Sequence, residues 1–468
     1  MRHTMSEEIE QLTSLTATFK KLHQDNPKVN EYRSPQELTE LINLDLGAQN
    51  DDEELQKLAQ LFVDFSAKTG HKHYFNQLFS GFNSWAVIGD LLAVLMNTSM
   101  YTYEVAPLAT LIERELVKKM NSYAGFNQGD GIFTGGGSNS NMMAMLCARH
   151  KKFPALKVEG LFGQKPISAF VSEVAHYSFL KASQAIGLGK KHLYTVESDA
   201  NGKMIPAKLE QAIQESIAKG EAPFFIAATA GTTEVGAFDP ILEMSEIAKK
   251  HNAWLHVDGS WGGSILLSPK HRHLFNGIEK ADSMTWNPHK LMNVPLMASA
   301  LLVKGANDLE NALTVENTDY IFHEHSNDSY DLGKKSLHCG RRNDALKVWM
   351  AWKYFGDEAL AANIEKLMDL GQKCNDYINN HPELEMLAPV ASLNINFNFI
   401  AKTAKSQNDL NRAIREKLIE NGKTMVNFCH LKDKLSIRLT LVNHELEWAD
   451  MEEFFTMFVE TGRLLDID

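Results

Sequence analysis

Cysteine is scarce in this 468-residue chain: Cys147, Cys339, Cys374 and Cys429 are the only four, far apart and never in Cys-x-x-Cys spacing. That excludes a disulfide framework or a zinc ribbon and fits a reducing compartment. Positive charge is also short, with 47 Lys plus Arg against 59 Asp plus Glu and a formal net charge of −12. This argues against a dedicated nucleic-acid binder, whose affinity comes from neutralising phosphates, but leaves room for a local basic pocket for a small anion. Long hydrophobic runs are missing too. The most apolar stretch, Trp85 to Met96, is interrupted by Asp90 and is too short to span a bilayer. The opening MRHTMSEEIEQL is acidic and has no apolar segment, so it does not read as a signal peptide. There is no internal repeat and no low-complexity tract. The expectation is a soluble cytoplasmic protein with no membrane and no nucleic-acid partner.

What is present is ordinary globular composition, 44% hydrophobic and 23% charged, in a chain long enough for two or three cores. The first seventy residues have helical spacing, as in LTSLTATFKKLHQ and ELQKLAQLFVDFSAK. Such amphipathic faces are buried either on a partner subunit or on their own domain. From about 100 to 345, β-rich runs (PISAFVSE, KHLYTVES, APFFIAATAG, AWLHVDGS, SMTWNPHK, ASALLVK) alternate with helical ones such as PAKLEQAIQESIAKG and PILEMSEIAKKHN. That alternation predicts an α/β domain with a mostly parallel sheet and helices on both faces. Beyond 345, long helical stretches, two alternating strands (SLNINFNFIA, KLSIRLTLVN) and a last helix predict a smaller α+β domain. The expected division is 1–100, a helical segment with subunit contacts; 101–345, the large domain; and 346–468, the small one.

Three segments carry chemistry. The run from Gly129 to Asn141 (GDGIFTGGGSNSN) opens a helix, where turned backbone amides and the helix N-terminus suit a phosphate. It fits neither the Walker nor the dinucleotide pattern. Asp258 closes the strand-like AWLHVD, the end of a parallel strand where α/β sheets bind ligands, although a cap or turn role is commoner for a lone aspartate. Lys290, in TWNPHKLM, stands between a proline and apolar residues, where a desolvated amine is suited to a Schiff base. Together these give a phosphate cradle, an acid for a pyridine nitrogen and an imine-forming amine, which describes a pyridoxal phosphate site. The histidines 71, 73, 323, 325 and the HRH at 271–273 lack metal-site spacing, so no metal is expected.

On HVDGSWGGS, TWNPHKLM, FNQLFSG, NTSMYTYEVAP, ATAGTTEVGAFDP and HCGRR, the chain from about His71 onward resembles the group II pyridoxal-phosphate decarboxylases, in the glutamate, cysteine sulfinate and aspartate branch. The resemblance implies a homodimeric fold-type I enzyme, similar to aspartate aminotransferase, with a seven-stranded sheet and the active site at the subunit interface. It implies pyridoxal 5'-phosphate held by Lys290 as an imine, Asp258 on the ring nitrogen and His176 (in SEVAHYS) stacked on the ring. Ser138, Asn139 and Asn287 would bind the phosphate, and Thr233 or Thr232 would sit near the ring's polar edge. His289 would lie beside the imine, and Gly340 would reach the cofactor from the partner subunit. Tyr320, in a polar loop that reads as a lid, would donate a proton to the substrate carbon. Gln77, Phe79, Ser99 and Arg438 would bind the substrate, with Arg438 clamping a carboxylate.

Two departures from the family stand out. Gly259 replaces a usual alanine and would remove a methyl from beneath the ring, and Ser138 also stands where alanine is usual. The implied reaction is α-decarboxylation of a small acidic L-amino acid. Phe79 and Ser99 favour cysteine sulfinate or aspartate, with glutamate or 2,4-diaminobutyrate as alternatives. Transamination on the same cofactor and a regulatory protein without catalysis are the rival readings.

Overall fold

The computed structural model describes residues 27–47, 50–323, 327–403 and 406–467. The amphipathic stretch LTSLTATFKKLHQ lies outside them. The chain forms two compact units. Among the described residues, the larger spans those of 82–371 and 388–394, and the smaller those from 27 to 81, 372–387 and those from 395 to 467. The boundaries therefore fall at 81/82 and at 371/372, inside the helical stretch Ala345–Asn380, whereas composition suggested 100/101 and 345/346.

The larger unit is built on a seven-stranded sheet: β1 Asp130–Thr134, β2 Ile167–Ser172, β3 Leu193–Val196, β4 Ala222–Thr229, β5 Trp254–Gly259, β6 Ser283–Trp286 and β7 Ser299–Val303, in the spatial order β1-β7-β6-β5-β4-β2-β3. Strands β2 to β6 pair in parallel, and β7 is antiparallel to both neighbours. Strands β2, β5, β6 and β7 are buried along their whole length. This is the mark of a sheet covered on both faces, and it explains their near-continuous apolar runs. Pro206–Ala218 and Ile241–Lys250 are the predicted crossover helices. The unpredicted strand is β1, which lies inside the glycine-rich run and packs at the sheet edge against β7. The helix Gly137–Lys152 follows it and ends on Arg149, His150, Lys151 and Lys152, charges that suit a helix C-terminus.

The smaller unit carries a five-stranded sheet in the order Tyr74–Phe75, Met425–Leu431, Lys434–Thr440, Asn394–Phe399 and Leu384–Met386. The last helix, Trp448–Leu465, buries Phe454, Phe455 and Phe458, and rings of all three pack on Phe397.

Within the larger unit, the buried pair Arg341–Glu113 (2.7 Å) fastens the loop that carries Arg341 to the helix Pro107–Ala124. The Arg341 carbonyl accepts the Met100 amide at 2.8 Å, and its own amide donates to Ser99 Oγ at 3.1 Å. The second Glu113 oxygen accepts the Phe133 amide at 2.9 Å. Removing one partner leaves a buried charge uncompensated, which typically costs about 3–5 kcal/mol. Arg341→Met should therefore lower the denaturation midpoint strongly, and adding Glu113→Gln should recover part of the loss. A single variant that unfolds like wild type would show that the pair does not hold this loop to the helix.

Candidate active site

The C-terminal ends of β4, β5 and β6 open onto a cavity of about 220 Å³ lined by Ser138, His176, Thr233, Asp258, Asn287 and Lys290. These are six of the residues picked from the sequence, drawn from five separate segments. Position is set by register: Thr229 of β4 pairs with Asp258 of β5, and Asp258 with Thr285 of β6, two residues before Asn287.

One wall is the start of the helix Gly137–Lys152. Gly136 has φ 120°, and no side chain caps the first turn; the Asn139 and Ser140 amides turn back to Gly136 O, which leaves those of Gly137 and Ser138 facing a ligand. A Cβ on Gly137 would stand 2.6 Å from Ser260 Oγ and 2.9 Å from Asn287 Nδ2, so only glycine leaves this cradle open. Asn287 is oriented from behind. Ser299 Oγ donates to its Oδ1 at 2.6 Å, which turns the Nδ2 donor towards Gly137. An uncapped helix start with an aimed amide donor fits a phosphate.

Asp258 forms the opposite end. Its Oδ1 accepts the Ser260 amide at 3.0 Å and its Oδ2 accepts Asn141 Nδ2 at 2.9 Å. Burial pushes the carboxyl up, but the hydrogen bond from Ser260, the charge of His256 when protonated, the hydrogen bond from Asn141 and the Lys290 ammonium outweigh it, and Asp258 is held below the usual carboxylate range. A fixed anion here fits a protonated pyridine nitrogen. His176 accepts the Ser178 amide on Nδ1 at 3.2 Å, and burial lowers its pKa, with Lys290 adding to the effect. Two further polar atoms on this wall, Thr229 Oγ1 and the Trp261 indole nitrogen, are buried with no hydrogen-bond partner among the described residues, as expected of groups that meet a ligand.

The remaining assignments fall outside this lining. Asn139 sits in the first helical turn, its amide on Gly136 O. His289 is buried on Ala298, and burial together with the Lys290 charge pushes it down to about 3, so it is neutral. Thr232 is committed to the Ala237 amide, which separates it from Thr233. Gly340 lies beside Ser99, and Tyr320 is 76% exposed. His325 is outside the described residues. In the smaller unit, the Arg438 guanidinium approaches Asn76 O at 3.4 Å, and Thr440 Oγ1 donates to Phe75 O at 2.8 Å and approaches Gln77 O at 3.1 Å. Phe79 lies against Tyr74. Sequence reasoning passed over Asn141, Tyr177, Thr229 and Trp261. Asn141 stood in the quoted glycine-rich run, but nothing in its spacing tied it to Asp258.

Gly259 is a correction. Its absent methyl does not face the cavity: a Cβ there would come within 2.5 Å of Met284 Cε and 2.9 Å of Thr285 O. Glycine is needed because β5 and β6 approach closely, with Met284 filling the space.

Residues 35–400 match the pyridoxal-dependent decarboxylase conserved domain. The acidic amino acid decarboxylase GADL1 of Mus musculus is 37% identical over 452 residues, 94% of this chain and 82% of the relative. The cysteine sulfinic acid decarboxylase of Rattus norvegicus is 36% identical over 439 residues, covering 91% and 89%. The crystal structure of mouse CSAD in apo form superposes with a TM-score of 0.93 at 34% identity, over 98% of this chain and 99% of that one. With its fold and site, the chain belongs to the pyridoxal-dependent decarboxylases. It is a fold-type I, pyridoxal-phosphate-dependent amino acid decarboxylase, and pyridoxal 5'-phosphate is its cofactor.

Overpacking a close contact typically costs about 1–3 kcal/mol. Gly259→Ala should therefore lower the melting temperature, and trimming Met284 to Val in the same chain should restore part of it. Equal melting of Gly259→Ala and wild type would mean that the strand contact is looser than described.

Proposed function

We propose that this decarboxylase removes the α-carboxylate of a small acidic L-amino acid, with cysteine sulfinate or aspartate preferred over glutamate. The observation that carries the reading is the single cavity lined by Lys290, Asp258, His176 and the glycine cradle. The names of the relatives, acidic amino acid decarboxylase and cysteine sulfinic acid decarboxylase, support the substrate class.

Bound pyridoxal phosphate supplies an aldehyde for the substrate amine and a ring that takes up the electron pair left by departing carbon dioxide. The chain does the rest. The Lys290 amine would hold the cofactor. Asp258 keeps a fixed negative charge that would pair with the ring nitrogen, and His176 would cover the ring face. Ser138, Asn139, Asn287 and the helix amides hold the phosphate, Thr233 meets the ring's polar edge, and His289 and Gly340 complete the surroundings. Tyr320 delivers the proton to the substrate carbon from an exposed loop. Arg438 and Gln77 bind the acidic groups of the substrate, while Phe79 and Ser99 restrict its length.

The working form is a homodimer in the cytoplasm. Among the described residues no helix is long and apolar enough to cross a membrane. A subunit contact is supported by exposed apolar side chains along Ser84–Met96, where Trp85, Leu92, Val94, Leu95 and Met96 are 40–69% exposed, and by Leu55 and Phe62 on Asp52–Phe65. Such faces are covered in stable proteins.

Lys290→Ala should abolish turnover and leave cofactor that dialyses away, and retained turnover with bound cofactor would remove Lys290 from its role. A second prediction concerns substrate length. One methylene that no longer fits costs roughly 10–200-fold in kcat/KM. Carbon dioxide release should therefore favour cysteine sulfinate or aspartate over glutamate, and Phe79→Ser with Ser99→Asn should shift preference towards glutamate. Wild-type enzyme that processes glutamate at least as efficiently as both shorter substrates would refute the assignment of Phe79 and Ser99.

A further inference from the structure

Behind Asp258 lies a buried polar chain that none of these roles explains. Trp254 Nε1 donates to Ser283 Oγ at 2.7 Å. An indole N–H can only donate, and the Ser283 hydroxyl that accepts from it lies 2.8 Å from His256 Nδ1. Asp258 can only accept, so Asn141 meets it with Nδ2 and turns its acceptor oxygen to His256 Nε2 at 3.0 Å; the proton of the neutral ring therefore sits on Nε2, and Nδ1 accepts from Ser283. Burial pushes His256 down to about 4, in keeping with a neutral ring. Thr285 Oγ1 donates to the same Asn141 oxygen at 2.8 Å. With its oxygen taken by two donors, Asn141 can present only Nδ2 to Asp258 Oδ2, at 2.9 Å, and to Ser178 Oγ, at 3.0 Å.

Each donor thus points the same way, from Trp254 through Ser283, His256 and Asn141 to Asp258. Strand register builds the arrangement. His256 pairs with Ser283 and Asp258 with Thr285, so residues two apart on β5 and on β6 share one face, against which the helix bearing Asn141 packs. His256 and Asn141 are 0% and 1% exposed, so water cannot replace a lost partner. An Asn141 amide turned the other way would put its oxygen against the carboxylate.

We infer that Asn141 and His256 are positioning residues, the two links of a one-way hydrogen-bond chain that fixes the Asp258 carboxylate for its place opposite the cofactor's ring nitrogen. The inference rests on the proposed role of Asp258. His256 acts by donating from Nε2, which keeps the Asn141 amide from turning, and Asn141 acts by donating to the carboxylate. Hydrogen bonds to a charged group are the strong ones, and losing one should weaken cofactor binding roughly 10- to 100-fold.

The test reconstitutes wild-type holoenzyme and variants with pyridoxal phosphate labelled with heavy nitrogen in its ring. The cofactor dissociation constant and the ring-nitrogen NMR shift are read at neutral pH, neither of which needs turnover. In His256→Gln the side-chain amide reaches the Nε2 position and can still donate to Asn141. The shorter His256→Asn meets Ser283 but not Asn141. His256→Gln should keep wild-type values, whereas His256→Asn and the isosteric Asn141→Asp should bind cofactor at least about tenfold more weakly and move the ring signal towards the unprotonated form. A His256→Asn enzyme that matches wild type, or His256→Gln no better than His256→Asn, overturns the chain. If the His256 variants do not fold, Asn141→Asp decides, and wild-type affinity and ring signal there overturn the inference. Asp258→Asn separates the two levels. If it too leaves both readouts unchanged, the role of Asp258 itself is wrong; if it alone impairs them, only the chain is refuted.

Discussion

A buried carboxylate that stays charged is the constraint around which the larger unit is organised. An ion in a protein interior is tolerated only when every lone pair it offers meets a donor or a cation. Asp258 is 4% exposed at the end of the central strand β5, and it meets the Ser260 amide, the Asn141 amide and the field of Lys290. Those partners come from the turn after β5, from the helix that follows the glycine-rich run and from the loop after β6. Satisfying one charge therefore brings together the segments that line the cavity.

The same geometry divides the labour. Parallel strands end side by side, so residues just beyond β5 and β6 converge without needing to be close in sequence. The anion at Asp258 and the donor-lined helix start at Gly137 and Ser138 border one cavity, matching a cofactor that carries a cationic ring nitrogen and an anionic phosphate. Lys290 shares that cavity, where its ammonium lowers both His176 and His289. Keeping these imidazoles neutral leaves the positive charge on the lysine and the ring.

The parallel strands were legible because buried strands must be apolar throughout, and the runs ending in AWLHVD and SMTW stood out between helical stretches. Asp258, Lys290 and the glycine cradle were legible because their chemistry is complete only in combination. Strand β1 was hidden because Gly129, Gly131 and the glycines that follow suggest a turn; only the packing of Gly131 against the backbone of Leu301 shows why a strand there needs glycine. Gly259 was misread because a missing methyl carries no direction in a sequence, and the direction depends on where Met284 lies. Asn141 and His256 were missed for a related reason. Their hydrogen bonds cross from a helix to two strands, and no local spacing records a contact between residues 115 positions apart.

The central claim is that Lys290 holds the cofactor. Borohydride reduction of the holoenzyme fixes the cofactor to whichever amine carries it, and peptide mapping then identifies that residue. A pyridoxyl group on Lys290 and on no other lysine is the expected result. A pyridoxyl group on a different lysine, with Lys290 unmodified, would contradict the assignment of this cavity.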